Sequence, residues 1–483
     1  MFNLKWISGD QIMSENMILS KRAREKFSHK GYLYSFDRVS SGDMEIKFWN
    51  CEKKDRCKAR LHTKAGIVMK KLNHHSHDAS GAQVEVSLLK SKIKKRAAET
   101  LESPTIVMNE CLTEVPQGSL AVVPNVSAIR KIIRRKRNSV TYAPTNPTLL
   151  EALVIPDDYK IYMLHPGVQE NFLLCDSGPG ADRILIFGRA SWVQHLVTSD
   201  VWYADGTFSI APNLFAQIYV ILAKKHGGVH PILYTFLPNK QRATYVRMFQ
   251  LLKVAEPNLN PTSIVCNYEK AFHIAAKDVF PEVELKGCFF HLAQNMHKHL
   301  GALGLISEYN RDADFALKAK MIIALAFVPI NKIDECIEAL GMELSNELQE
   351  LLNWFEDTYV GRANRRGNGR RIPLFVPEIW NLYNRTLNGE DRTNNHAKAA
   401  HRRLQYKLGM QHPTIWKLID GLRKVQKGRD SHFEKLLAGH EPTPKHKKYR
   451  DADKKIRETI LKFDSMSVIE YLRSIAHNYQ MSN

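Results

Sequence analysis

Two pairs of metal-binding side chains lie near the start of the sequence. Cys51 and Cys57 occur in WNCEKKDRC, and His75 and His77 occur in NHHSH. Two thiolates and two imidazoles complete a tetrahedral Zn²⁺ shell that is closed to water, as in structural zinc sites. His74 is a substitute ligand, and a chance grouping of surface residues is the alternative. The spacing predicts a structural zinc bound by Cys51, Cys57, His75 and His77.

A single carboxylate, Asp205, ends the apolar run VWYAD and is followed by Gly206. A lone aspartate at the end of a strand is either a turn residue or a metal ligand. Metal-assisted cleavage of a phosphodiester uses two divalent ions about 4 Å apart, so one carboxylate is not enough to hold them. Any partners of Asp205 must come from other elements of the same fold.

Short alternating runs around the Cys and His pairs predict the strands that position them. These runs are YLYSF (32–36), EIKFW (45–49) and GIVMK (66–70). A segment of this size has little hydrophobic core, so a metal that contributes on the order of 10 kcal/mol would be what folds it. The sequence therefore predicts a small β-rich zinc module.

The same region resembles a known family of zinc fingers. GYLY (31–34), FWNC (48–51), KARL (58–61) and HSH (75–77) resemble the FLYWCH-type zinc finger over about residues 20–80. The resemblance implies a module that binds DNA or protein and that is not an enzyme.

From residue 201 the hydrophobic pattern predicts the order β-β-β-α-β-α-β-α, which is typical of a ribonuclease-H-like fold. Other mixed α/β sheets are the alternative. In a ribonuclease-H-like fold, one carboxylate on the first strand and one after the fourth lie side by side, and a third comes from a closing helix. Asp205 takes the first place, and Asn267 in SIVCNYEKAF takes the second.

Several motifs along this region resemble the transposase domain of Mutator-like elements (MULE). They are DGTF (205–208), NYEKA (267–271), GCFFHLAQN (287–295), RTNNHAKAAHRRL (392–404) and HPTIW (412–416). With the finger, the resemblance spans about residues 20–430. It implies a ribonuclease-H-like transposase core with an all-α insertion, preceded by the small β-rich zinc finger.

The sequence departs from that family at two of the three acidic positions. Members of the family typically have D-F-E where Asn267, Tyr268 and Glu269 stand, and a Glu where Lys398 stands. An ammonium about 4 Å from a divalent ion, at an effective dielectric of about 20, is repelled by on the order of 8 kcal/mol. Asp205 is then the one retained acid, and we predict that this chain does not cut DNA.

Substitute acids are the alternative. Glu269, Asp278, Glu390 and Asp391 lie near the same motifs in the sequence. If they complete the site, the protein is an active cut-and-paste transposase or endonuclease that uses Mg²⁺.

Cys288 and His291 form a C-x-x-H pair at the start of a predicted helix. They are either metal ligands, with His297 and His299 one to two turns later, or a buried thiol and a core imidazole. No activating group is visible, so Cys288 is not predicted to be a nucleophile.

The charge balance favours a polyanionic partner. The chain has 70 Lys and Arg against 50 Asp and Glu, a formal charge of +20. Nucleic acid is favoured over a membrane, because no apolar run is long enough to span one. Basic loops and helices suit phosphate contacts, and solvated surface is the alternative. The predicted DNA contacts are Arg362, Arg365, Arg366, Arg370, Arg371, Arg402, Arg403, Lys131, Arg134 and Arg135.

The location of the protein is predicted from its cysteines and basic runs. Seven unevenly spaced cysteines do not form a disulfide framework, and no secretory signal is visible. The basic runs KSKIKKR (90–96) and RKIIRRKR (130–137) are candidate nuclear-import signals or solvated helix faces. These observations predict a nuclear protein.

The favoured function is a transposase-derived, zinc-containing DNA-binding protein with impaired catalysis. The alternatives are the active enzyme and a zinc-finger module that binds protein. A homo-oligomer is left open, because the charged helix in 441–463 is either a dimer contact or a lid. The predicted domains are an N-terminal extension (1–19), the finger (20–80), a linker (81–120), a basic helical pre-core region (121–182), the core (183–300), a helical insertion (301–390), closing helices (391–430) and a basic helical tail (431–483).

Overall fold

The computed structural model of the chain describes residues 17–19, 25–100, 102, 104–140, 144–364, 369–442 and 444–481. The chain divides into two compact units, residues 1–145 and 146–483. Among the described residues, no helix is long and apolar enough to cross a membrane.

An antiparallel sheet of neighbouring strands opens the first unit. Within the described ranges it has six strands in the order β1 to β6. Tight turns join β2 to β3 and β5 to β6, and Gly31 and Gly66 take positive φ angles of 77° and 83° there. A right-twisted hairpin favours such turns because positive φ matches its twist. The strands are β1 Met17–Leu19, β2 Glu25–His29, β3 Tyr32–Val39, β4 Ile46–Cys51, β5 Arg60–Lys64 and β6 Ile67–Leu72.

One face of this sheet carries the core of the finger. Phe27, Tyr34, Trp49 and Leu61 are buried and pack together. The indole nitrogen of Trp49 donates a hydrogen bond of 2.8 Å to the hydroxyl of Thr63, so its buried polar atom is satisfied. Of these strands, the alternating pattern predicted only β3, β4 and β6.

Residues 81–120, predicted as a linker with or without one basic helix, form two α-helices and a 3₁₀ turn. Leu89, Ile93, Val107, Ile129 and Ile133 form a buried cluster. The apolar residues recur every three to four positions among lysines, which buries one stripe of each helix. The elements are α1 Gly81–Glu99, α2 Pro104–Leu112, a 3₁₀ turn Gln117–Val122 and α3 Val126–Val140.

The predicted pre-core region, 121–182, is divided between the two units. Helix α3 belongs to the first unit, whereas residues from 146 onward belong to the second. The second unit starts with α4 Asp157–Lys160, the hairpin β7 Ile161–His165 and β8 Val168–Asn171, and the strand β9 Leu173–Asp176.

A mixed sheet forms the centre of the second unit. In the part of the chain that is described, it has seven strands in the order β15-β14-β11-β12-β13-β10-β9. β11, β12 and β13 are antiparallel, and β14 and β15 run parallel to β11 on its other side. β12 and β13 are buried almost throughout, as expected for strands covered on both faces. The remaining strands are β10 Leu185–Phe187, β11 Val201–Thr207, β12 Gln217–Lys225, β13 Gly228–Leu237, β14 Ser263–Cys266 and β15 Glu284–Gly287.

Helices cover this sheet and bring the candidate site together. α6 and α7 pack on each other, and their buried faces join the core under the sheet. α15 packs against β11, β12 and β13. The helices are α5 Gln194–Val197, α6 Arg242–Ala255, α7 Lys270–Val279, α8 Phe289–Ala302, α15 Asn395–Leu408 and α16 Ile415–Leu437, with a 3₁₀ turn at Ala190–Trp192. α16 continues past residue 430, so the predicted boundary there cuts through a helix.

The segment between α8 and α15 is all-helical and has its own core. Ile322, Phe327, Leu351 and Trp380 are among its fully buried residues. Its elements are α9 Ile306–Arg311, α10 Ala313–Ala324, α11 Ile333–Glu343, α12 Asn346–Phe355, α13 Pro377–Trp380 and α14 Tyr383–Leu387, with 3₁₀ turns Leu325–Phe327 and Ile330–Lys332 and a π-helical turn Glu356–Val360.

The C-terminal helices belong to this same core. Ile456, Ile460, Tyr471 and Leu472 are buried within it, and Tyr471 donates a hydrogen bond to the main-chain oxygen of Phe327. α18 packs against α10 and α11, and α17 packs against α14 and α18, so the helices of the basic tail predicted for 431–483 belong to a packed core. The elements are α17 Lys447–Ile460, a 3₁₀ turn Phe463–Ser465 and α18 Val468–Ala476.

Candidate functional site

The predicted zinc ligands lie together at one end of the finger sheet. Cys51 ends β4, Cys57 follows a short turn, and His75 and His77 come from the chain after β6. Their ligand atoms all lie within 4.8 Å of one another. Cys51 Sγ is 3.2 Å from His77 Nε2, and Cys57 Sγ is 3.4 Å from His75 Nδ1. His74 is exposed and lies outside this group.

The second nitrogen of each histidine ring also has a partner. His75 Nε2 is 2.7 Å from the hydroxyl of Tyr34, and His77 Nδ1 is 3.0 Å from the main-chain oxygen of Asp78. Zinc-binding histidines usually donate their other N–H in this way, which fixes the ring and the tautomer. Tyr32 stacks on the ring of His75 with centroids 3.6 Å apart.

The donor set and its surroundings fit Zn²⁺. Burial lowers the pKa of His75, so its ring stays neutral and can bind metal at neutral pH. Burial raises the pKa of the Cys51 thiol, so that thiol needs a cation to become a thiolate. These four residues are a closed tetrahedral set with no place for a substrate.

Asp205 lies in the central sheet, buried at the end of β11. The residue is 5% exposed, and it pairs with Val220 of β12. The amide of Gly206 donates a hydrogen bond of 3.1 Å to Asp205 Oδ1. A Cβ at Gly206 would lie 2.4 Å from the side-chain oxygen of Gln217, so a larger residue there would require the Gln217 side chain to move.

The residues around this carboxylate are called the Asp205 cluster: Asp205, Asn267, Phe290, His291, Lys398 and His401. Asn267 directly follows β14, which runs parallel to β11. Asn267 Oδ1 is buried and has no hydrogen-bond partner in the described part of the chain. His401 Nδ1 lies 3.9 Å from Asp205 Oδ2.

Lys398 brings a cation into the cluster from α15. Its ammonium nitrogen is 2.7 Å from the centre of the Phe290 ring, a cation–π contact. Burial lowers the pKa of Lys398, and the nearby Asp205 carboxylate opposes that effect. Lys398 therefore supplies positive charge beside Asp205.

Burial dominates the protonation of the cluster. It raises the pKa of Asp205 to about 7, although the charge of Lys398 acts to lower it. Burial, with the charge of Lys398, lowers the pKa values of His291 and His401 to about 4, so both rings are neutral at pH 7. His291 Nδ1 and His401 Nε2 are buried without a hydrogen-bond partner among the described residues.

The four substitute acids have different surroundings. Glu269 accepts a hydrogen bond of 2.8 Å from Tyr245, and its charge raises the pKa of Asp205. The other three are held in contacts of their own: Asp278 with Arg242, Glu390 with Lys286, and Asp391 with Tyr203 and Lys445. Within the described ranges, no group of three metal-binding side chains includes Asp205.

Cys288 and His291 have structural contacts. Cys288 Sγ is fully buried and accepts a hydrogen bond of 3.1 Å from the amide of Asn394. His299 stacks on Trp354 with centroids 4.2 Å apart, away from this pair. The described residues do not bring Cys288, His291, His297 and His299 into one metal-binding group.

Asn394 is an organising residue that sequence reasoning missed. Its side-chain nitrogen donates to the main-chain oxygens of Ala204, at 2.9 Å, and Val265, at 3.4 Å. It thereby joins β11 to β14 next to Asp205, and its own amide reaches Cys288. Its position in the RTNN motif is the sequence feature that could have identified it.

The predicted DNA contacts fall into three groups. Lys131, Arg134 and Arg135 are exposed on α3, and Arg402, Arg403 and Arg371 are exposed in the second unit. Arg362 pairs with Asp357, and Arg370 pairs with Asp334 and Glu356, so their charges are partly neutralised. Arg365 and Arg366 lie outside the described residues.

Two family models match the segments that carry these two sites. The FLYWCH zinc finger domain model matches residues 17–77, which include the zinc ligands. The MULE transposase domain model matches residues 201–295, which include Asp205 and Asn267. The chain is similar to both families, each over its own segment.

Two curated proteins of Caenorhabditis elegans resemble the finger. FLYWCH transcription factor 2 is 37% identical over 60 residues, which is 12% of this chain and 13% of that protein. FLYWCH transcription factor 1 is 38% identical over 65 residues, which is 13% of this chain and 12% of that protein. The chain thus spans about an eighth of the length of the curated relatives it matches.

Zinc removal tests the metal centre. We expect the purified protein to contain one zinc per chain, and Cys51→Ser to lose it and to unfold the finger, since such metals contribute on the order of 10 kcal/mol. Metal analysis and limited proteolysis of residues 25–77 measure this. Cys175→Ser, a cysteine in the second unit, is the control and keeps the zinc. Wild-type protein without zinc would contradict the assignment.

Stability against pH tests the Asp205 cluster. The folded-state pKa of Asp205 is raised to about 7 from 3.8, so the folded protein holds this proton more tightly than the unfolded chain. Stability is then lost as the pH rises from about 4 through 7. We expect Asp205→Asn to remove this loss, a gain on the order of 4 kcal/mol at pH 8.

Urea unfolding between pH 5 and pH 8 measures the effect on the second unit. Asp451→Asn, which changes an exposed acid on α17, is the matched control and should follow the wild type. Equal pH dependence in the wild type and in Asp205→Asn would show that Asp205 is ionised throughout this range.

Proposed function

We propose that this protein is a transposase-derived, zinc-containing DNA-binding protein that does not cleave DNA. The observation that carries the proposal is the Lys398 ammonium beside Asp205, at the position where the family resemblance implies an acid. An ammonium repels the divalent ions that strand cleavage requires.

The second unit is proposed to have a ribonuclease-H-like fold. Three antiparallel strands, β11 to β13, followed by β14 and β15 in parallel with β11, support it. Asp205 lies near the end of β11, next to the end of β14. In such a fold these two positions lie side by side at the ends of adjacent strands, where metal ligands are found.

The residues of the Asp205 cluster do not fit a pair of Mg²⁺ ions. Mg²⁺ prefers carboxylate ligands, whereas Asn267 contributes an uncharged amide and Lys398 adds a positive charge beside Asp205. Glu269 is the one substitute acid whose charge acts on Asp205. Two ionised carboxylates and one ammonium have a net charge of −1, which cannot offset the positive charge of two divalent ions.

DNA is the proposed partner, and the nucleus is the proposed location. The formal charge of +20 supports a polyanionic partner. Exposed cations on α3 and α15, among them Lys131, Arg134, Arg402 and Arg403, supply phosphate contacts. The two C. elegans relatives of the finger are named as transcription factors, which supports a nuclear role.

The domain organisation proposed for the chain follows its elements. The finger ends near residue 80, the helical bundle follows, and the core starts before residue 183, because β9 joins the main sheet. The closing helices extend to residue 437. The insertion and the C-terminal helices form one helical layer with a shared core.

Restoring the acids tests the loss of catalysis. Wild-type protein should not nick supercoiled plasmid with Mg²⁺ or Mn²⁺, because the cluster holds too little negative charge. The double variant Asn267→Asp/Lys398→Glu should bind Mn²⁺, measured by calorimetry, and should gain metal-dependent nicking.

Adding Asp205→Ala to the double variant is the control and should abolish both gains. Metal-dependent nicking by the wild type, lost in Asp205→Ala and in Glu269→Gln, would instead establish the active enzyme with Glu269 as a substitute acid.

Salt dependence tests DNA binding. Affinity for duplex DNA should fall steeply between 50 and 200 mM salt, and Arg402→Gln/Arg403→Gln should lower the slope of log K against log salt by roughly 2, since each phosphate contact contributes about 0.9. Fluorescence anisotropy measures both. Arg311→Gln, an exposed arginine paired with Glu308, is the control and leaves the slope unchanged. A flat salt response would favour a protein partner.

A further inference from the structure

The finger sheet has a second face, which points away from its core and its zinc ligands. Side chains alternate between the two faces of a strand, so Phe48 points opposite to the buried Trp49. Arg38 pairs with Phe48, Phe48 pairs with His62, and His62 pairs with Lys70. These four residues, here called the aromatic row, come from β3, β4, β5 and β6 and lie side by side.

The aromatic row has an apolar centre and cationic ends. The rings of Phe48 and His62 lie edge to face, with centroids 4.4 Å apart. The guanidinium carbon of Arg38 lies 5.4 Å from the centre of the Phe48 ring. Phe48 and His62 are half-buried, whereas Arg38 and Lys70 are exposed. Arg60, next to His62 on β5, adds a further exposed cation at the level of Asn50.

The cations of this face are not neutralised by the finger itself. Other lysines of the sheet pair with acids: Lys26 with Glu52, Lys47 with Glu25, and Lys64 with Asp43. Arg38, Arg60 and Lys70 have no acidic partner within 4.0 Å in the described part of the finger. The face therefore combines uncompensated positive charge with two rings.

The histidine in the row is suited to stacking. Burial, followed by the charges of Lys70, Arg38 and Arg60, lowers the pKa of His62, so its ring is uncharged at neutral pH. An uncharged imidazole beside a phenyl ring offers an aromatic surface, and the positive charge is confined to the edges of the row.

We propose that the aromatic row binds unpaired nucleotides of a single-stranded nucleic acid. Bases stack on Phe48 and His62, and the phosphates contact Arg38, Arg60 and Lys70. This inference rests on the proposed nucleic-acid-binding function and adds a site and a substrate class to it.

Single strands are favoured over duplexes by the chemistry of the row. Paired bases in a duplex stack on each other and present only their edges to a protein. Unpaired bases expose their faces, and aromatic residues on a positively charged groove or sheet bind them with little sequence preference. An acidic peptide would use the cations and would leave both rings without a partner.

The experiment uses the full chain and two fluorescent probes, a twelve-residue oligo(dT) and a duplex of mixed sequence. Phe48→Leu keeps apolar volume and removes the ring, so we expect about tenfold weaker binding of oligo(dT) and unchanged binding of the duplex. Phe48→Tyr keeps the ring and should bind oligo(dT) as the wild type does. Zinc content, measured for each variant, checks that the finger is folded.

Two further variants separate stacking from general effects. Ile67→Ala removes an exposed apolar side chain from β6 and should leave both affinities unchanged. Arg38→Gln/Lys70→Gln should lower the salt slope for oligo(dT) by roughly 1.4, since each contact with a single strand contributes about 0.7. A 2-aminopurine base in the oligonucleotide should be quenched on binding by the wild type and less by Phe48→Leu.

Three other outcomes would contradict the inference. If the wild type and Phe48→Leu bind oligo(dT) equally well and both bind the duplex, the aromatic row is not the binding site. The proposed DNA-binding function then still holds. If the wild type binds neither probe in a salt-dependent way, both the aromatic row and the proposed DNA-binding function are contradicted. Displacement of oligo(dT) by poly-glutamate at equal charge concentration, with no quenching of 2-aminopurine, would assign the row to acidic peptides.

Discussion

The burial of one ionisable side chain, Asp205, is the constraint on which the candidate site of the second unit depends. Asp205 is held in the interior at the end of β11, where water cannot stabilise an ionised carboxylate, and the pKa of its side chain rises to about 7. Active two-metal sites solve this problem with divalent cations and further acids. Here the compensating charge is a single ammonium, Lys398, held over the ring of Phe290. In the proposed function, a protein cation fixed on a helix takes the place of the metal's positive charge and lacks its ability to polarise a phosphate.

The two candidate metal sites differ in the groups that surround them. The finger keeps both pairs of ligands and also the groups behind them, Tyr34 and the main chain of Asp78, which orient the imidazoles. Next to the Asp205 cluster, hydrogen bonds of Asn394 join β11 to β14, and Asn267 and Lys398 stand where the family resemblance implies acids. A structural zinc is tied to folding, because without it a small sheet loses its stability. Buried acids are costly unless cations offset their charge.

Sequence reasoning reached the zinc ligands and the strand order of the core, because both depend on local spacing. Cys51 and Cys57 lie close together in the sequence, and the apolar, β-rich runs VWYAD and VHPILYTFL are visible in short windows. It missed β1, β2 and β5, which are short and carry little alternation, and it took 81–120 for a linker because Leu89 and Ile93 are surrounded by lysines. It also could not rank the substitute acids, since the pairs of Asp278 with Arg242 and of Glu390 with Lys286 join residues far apart in the chain. Such long-range pairs are properties of the folded molecule.

The placement of the last helix has a consequence for how the chain is made. Tyr471, Leu472 and Ile475 of α18 complete the core of a helical layer that includes Ile322 and Phe327, more than a hundred residues earlier. During synthesis from the N-terminus, those earlier helices emerge from the ribosome long before the surface that covers them. Their apolar faces stay exposed over that interval, which is when such segments associate wrongly or bind chaperones. The side chains near residue 470 therefore complete a hydrophobic core whose other helices are mostly translated well before them.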